Sequence, residues 1–192
     1  GSRLREALDS VSSNDLEQVA QMVLKAYHQG QRFFIFGNGG SGATASHIAG
    51  DFVKGVSYGL KHRFRFLCLN DNNASMMAIA NDIGYKDIFV EPLKNFMQPG
   101  DIVIGLSGSG NSENVVRAMQ YAADNGAITM AFCGYDGGKI KKLADYSIHA
   151  QIRDMEISED IHLVTFHMIK NYIIAELKGN DSSMGAKYDK RV

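Results

Sequence analysis

The chain is 192 residues long, 45% hydrophobic and 21% charged, with 20 Lys+Arg against 21 Asp+Glu for a formal net charge of -1. That is the size and balance of one globular domain, and it excludes a basic nucleic-acid-binding protein and an acidic disordered chain. No run of about 18 uninterrupted apolar residues occurs and no basic-then-apolar leader opens the chain, so neither a membrane span nor secretion is expected and the cytoplasm is the expected location.

In chain order, Gly1 and Ser2 read as an expression scar, residues 3–177 as one domain and residues 178–192 as a polar tail. Residues 4–28 have helical spacing with a break at Ser12-Ser13-Asn14, where Asn14, followed three residues on by Glu17, has the form of an N-cap with its return partner. The run QRFFIF at 31–36 predicts a strand that ends in Gly37-Asn38-Gly39-Gly40-Ser41-Gly42, and helical spacing returns over 43–56. The pattern recurs. FRFLCL (64–69) leads to helical stretches between 74 and 97, and DIVIGL (101–106) to a glycine-serine loop at 107–112 and a helix to 125. AITMAF (127–132) leads to Gly134–Gly138 and a short helix, and residues 146–150 to a last helix over 158–177. Five nearly continuous apolar strands separated by helices predict a doubly wound, five-stranded parallel sheet with helices on both faces. The two cysteines, Cys68 and Cys133, lie in apolar runs without CxxC spacing and read as buried thiols.

In such a sheet a ligand lies beyond the carboxyl ends of the strands, where both long glycine clusters fall. They offer bare N–H groups, close approach without a Cβ, helix N-termini behind them, and hydroxyls at Ser41, Ser107, Ser109 and Ser112. That chemistry suits a phosphate. The first loop also spells G-x-G-x-x-G, but the second strand ends in Asn70, with Asp71 the only acid available for a ribose, and no Walker lysine follows the glycines. His47 and Asp51, four apart, share one helix face; Glu159 and His167, eight apart, are separated by about 12 Å of helix. Individually these are exposed polar positions or satisfied helix histidines. As a set, two imidazoles and two carboxylates suit a borderline divalent ion such as zinc, and the carboxylates suit general-base work. His28, His62, His149 and His162 lack such partners and read as structural.

The segments FGNGGS (36–41), ASHIA (45–49), AND (80–82), LSGSGNS (106–112), GYDGG (134–138) and EDIH (159–162), in this order and spacing, resemble the sugar isomerase (SIS) domain family, most of all its phosphoheptose isomerases. The resemblance covers roughly residues 5–177. It implies a flavodoxin-like sheet and isomerisation of a phosphosugar, most simply sedoheptulose 7-phosphate to the aldoheptose 7-phosphate, through an enediol with metal assistance. It implies that Asn38, Gly39, Gly40 and Ser41 of the first loop and Ser107, Gly108, Ser109, Asn111 and Ser112 of the second hold the sugar phosphate, and that Asn81 and Asp82 touch the sugar. His47, Asp51, Glu159 and His167 fall on the family's divalent-metal site, with Asp51 on its base and His167 on its acid. Two positions depart from the family: Asp51 stands for a glutamate and Glu159 for a glutamine, so the base is Asp51 or Glu159. The resemblance further implies a homotetramer with sites between subunits. A non-catalytic phosphosugar sensor or adaptor, or an isomerase of another sugar phosphate, is the alternative reading.

Overall fold

The computed structural model describes residues 1–179, so the expected tail lies outside the described residues except for Lys178 and Gly179. Helix α1 (Ser2–Asp9) and helix α2 (Ser13–His28) are separated at the expected break. The cap differs by two residues from the expected one: Ser12, not Asn14, closes the start of α2, its hydroxyl accepting from the Asp15 N–H at 3.1 Å. A side-chain oxygen placed three residues before a free N–H, the hydroxyl of Ser12 or the amide oxygen of Asn14, satisfies it equally; here the extended backbone of Ser12 selects it.

Strands β1 (Arg32–Gly37), β2 (Arg65–Cys68), β3 (Ile102–Ser107), β4 (Ile128–Cys133) and β5 (Tyr146–His149) form one parallel sheet in the order β2-β1-β3-β4-β5. Between them run α3 (Gly39–Gly50), α4 (Asn73–Asp82), α5 (Val90–Phe96), α6 (Glu113–Asp124) and α7 (Gly138–Leu143); α8 (Met155–Lys178) follows β5. Alternate side chains of β1 fall on opposite faces, as a pleat requires. Phe33 and Ile35 join the core beneath α2, α3 and α8, while Phe34 and Phe36 join the core beneath α5 and α6. The sheet is thus buried on both sides, with Phe33 stacked on Phe66 and Phe36 on Phe89. Each such ring contributes about 1.5–3 kcal/mol by burial.

Two consequences position the site. The strand order reverses between β1 and β3, so the loops leaving these neighbours face one crevice. In addition, α3 and α8 share one face of the sheet, which brings His47 and Asp51 beside His167 from opposite halves of the chain.

Candidate functional site

The crevice between β1 and β3 is a cavity of about 200 Å³ lined by Asn38, Gly39, Gly40 and Ser41 on one side and Ser107, Gly108, Ser109 and Ser112 on the other, closed by Met155 and Glu159 of α8. Ser41 and Ser107 are buried, and the hydroxyls of Ser107 and Ser112 lie 3.2 Å apart. Helix α3 begins inside the first loop, at Gly39, so Gly39 and Gly40 lie in its first turn and their N–H groups have no intrahelical acceptor, whereas Gly42 N–H donates to Asn38 O. The GYDGG loop braces the second wall. Gly110 and Gly138, both with positive φ, approach so closely that neither admits a Cβ, and the N–H groups of Lys139 and Ile140 donate to Gly110 O.

Asn38 is fixed by residues that the sequence did not single out. It exchanges two amide hydrogen bonds with buried Asn114 (2.9 and 2.8 Å), and Tyr85 Oη donates to its Oδ1 at 3.1 Å. Asn114 lies just past the serine loop, a position whose side chain gives no signal until the strands are paired. Asn70 uses its amide on both sides of Gly37, donating to Gly37 O and accepting from Gly37 N, and Asp71 accepts from Ser46 Oγ at 2.6 Å. Neither acts as the acid of a dinucleotide site.

Of the other expected phosphosugar residues, Asn111 is exposed and turned back on its own loop, its Nδ2 donating to Ser109 O. Asn81 and Asp82 end α4, exposed and hydrogen-bonded to each other at 2.7 Å; they do not line the crevice.

Two helical turns further along α3 and α8 stands a second group. His47 Nε2 and His167 Nε2 are 3.1 Å apart, and Asp51 Oδ2 is 3.6 Å from the first and 3.5 Å from the second. Despite its short side chain, Asp51 reaches both imidazoles. It lies at the start of a π-helical turn, Asp51–Val56, in which the helix widens; such turns recur at functional sites. Glu159 is not part of this group: its carboxylate rests against Gly40, at the crevice end of α8. Lys170, also absent from the sequence reading, donates from Nζ to Asp51 Oδ2 at 2.7 Å. Burial and then the charge of Lys170 lower the pKa of His167, an effect that Asp51 partly opposes. His167 is therefore neutral near pH 7.

Two facing imidazole nitrogens need either a proton or a cation between them. Ligand distances near 2.0–2.1 Å at the tetrahedral angle give edges of about 3.3 Å, close to the three edges found here. His47, Asp51 and His167 thus fit a divalent ion with an open fourth position, the pattern of a catalytic rather than a structural site. The cysteines take no part: burial pushes both thiols up to about 12, leaving them unreactive. Among the described residues, no helix is long and apolar enough to cross a membrane.

The SIS domain family matches residues 2–134. The phosphoheptose isomerase of Crocosphaera subtropica is 36% identical over 91% of this chain and 88% of its own length. That of Aneurinibacillus thermoaerophilus is 35% identical over 80% and 77%. The structure of the phosphoheptose isomerase from Neisseria gonorrhoeae superposes with a TM-score of 0.82 at 25% identity, covering 89% of this chain and 91% of the other.

Proposed function

We propose that this chain, which belongs to the SIS domain family and within it to the phosphoheptose isomerases, interconverts sedoheptulose 7-phosphate and D-glycero-D-manno-heptose 7-phosphate. The observation that carries this reading is the alignment of two groups along α3 and α8. The serine-lined crevice sits at Gly40 and Glu159, and the His–Asp group sits seven residues on in α3 and eight in α8, about 10–12 Å away at 1.5 Å per residue. A phosphate in the crevice leaves an extended seven-carbon chain long enough to bring its carbonyl end to the histidines; a triose phosphate falls short.

Ser41, Ser107, Ser109 and Ser112, with the N–H groups of the α3 N-terminus, bind the phosphate, and that remote binding energy orients the reacting carbons. Asp51 takes the proton from C1 of the ketose and returns it to C2. Its Oδ2 is engaged by Lys170 and faces the imidazoles, so Oδ1 is the atom assigned to the substrate. With Nε2 of His167 turned to His47 and Asp51, its Nδ1 is the atom assigned to pass the remaining proton between the oxygens on C1 and C2. When bound by His47, Asp51 and His167, a divalent ion, zinc by this donor set, supplies polarisation of the sugar carbonyl. Glu159 stands in the wall of the crevice against Gly40, apart from the His–Asp group, so no proton step is assigned to it.

The reading also includes self-association, supported by an apolar groove of about 180 Å³ between α2 and α8, where Met168 is 49% exposed and Tyr172 39%. A homotetramer that covers this groove accounts for that surface. The test of the reaction is direct: sedoheptulose 7-phosphate incubated with the protein gives rise to an aldose C1 signal by NMR. A ketose spectrum unchanged at high protein concentration sinks the assignment.

A further inference from the structure

We propose that Lys170 is an internal cation that competes with the divalent ion for Asp51 and so sets the metal affinity of this site; the proposal rests on the ion-site reading given above. Lys170 follows His167 by three residues in α8, so the two side chains leave the same helix face toward α3. Its side chain is only 16% exposed, and its ammonium donates to Asp51 Oδ2 at 2.7 Å. That oxygen is also the one turned to both imidazole nitrogens, at 3.5 and 3.6 Å. The atom that an ion would need is therefore already bound to a cation.

The charge count gives the sign. Two neutral imidazoles and one carboxylate offer a dication a single negative charge, and the lysine cancels it within the same group. An incoming ion meets a donor set with no net charge, together with an ammonium whose contact to Oδ2 it must weaken. The ammonium is in direct contact with Oδ2, far inside a Debye length of about 8 Å, so salt screens that repulsion little. In return, the ammonium holds Asp51 between the two histidines before any ion arrives. Lys170 is thus a positioning residue in the ion-free chain and a competitor during loading, and it raises the ion concentration at which the site is half filled.

The test measures metal binding, not turnover. The full chain and the variants K170M, K170Q and K170R are titrated with Co²⁺, followed by visible absorption and by calorimetry, after circular dichroism and thermal unfolding have established that each is folded. K170M and K170Q are expected to bind roughly tenfold tighter or more, because the ammonium is gone, while K170R, which keeps the charge, stays within about threefold of the parent. Binding by K170M and K170Q that equals or is weaker than that of a parent that does bind overturns the competition and leaves the ion site standing. Failure of the parent and of every folded variant to take up Co²⁺ removes the ion site, and this inference with it.

Discussion

The carboxylate of Glu159 rests on the bare Cα of Gly40, so close that a Cβ at Gly40 would collide with it. This contact places a carboxylate in the wall of the crevice to which we assign the phosphate. A phosphate entering beside it is repelled or must displace it, and both effects weaken binding. Glu159→Gln keeps the shape and removes the charge. It is expected to tighten the binding of inorganic phosphate about fivefold, the effect of removing one like charge at partly solvated range. Calorimetric titration checks it; weaker binding by the variant would show instead that the carboxylate helps to build the crevice.

The separation of the two acids distinguishes their roles. Asp51 stands with His167, whereas Glu159 faces the phosphate loops. In D₂O, at saturating substrate and metal, Asp51→Asn is expected to lose solvent deuterium incorporation next to the sugar carbonyl by about 10²–10⁴-fold, the usual contribution of a general base. Glu159→Gln is expected to retain it. The reverse pattern would assign proton abstraction to Glu159.

His162 gives an acid-stability prediction. It is fully buried on α8 beneath the sheet, edge-on to Phe132, and neither ring nitrogen has a hydrogen-bond partner among the described residues. Burial lowers its pKa to about 4. The folded value lies below the unfolded one, so the unfolded chain takes up the proton first and stability is lost as pH falls from about 6.5 toward 4. Between pH 7 and pH 5 this one group costs about 2 kcal/mol. His162→Leu, which removes two unpaired buried nitrogens at similar volume, is expected to be near neutral at pH 7. It should lose correspondingly less stability at pH 5. Urea unfolding of both proteins at the two pH values measures the difference; equal losses would acquit His162.

Much of this protein was legible along the chain because its determinants are local. QRFFIF and DIVIGL carry their strand character within six residues, and the glycines at 37–42 and 108–110 mark where those strands must end. Since a parallel sheet fixes which strand ends carry ligands, the crevice serines could be named before any contact was known. The i, i+4 spacing of His47 and Asp51 is likewise a property of one helix.

What the tertiary structure alone decided depends on α3 and α8 lying side by side on one face of the sheet. The partners His47 and His167 are 120 residues apart, and Asp51 and Lys170 are 119 apart. No spacing rule reaches across such distances. The pairing of Lys170 with Asp51 and the placement of Glu159 against Gly40 follow from the relative position of those two helices. Asn114 came to hold Asn38 only because β1 and β3 are neighbours in the sheet. Local sequence determined which chemical groups are present and which strand ends or helix faces they occupy. Packing of distant elements on a common sheet determined which of those groups touch, because the apolar surfaces that drive the packing are separate from the polar groups it brings together.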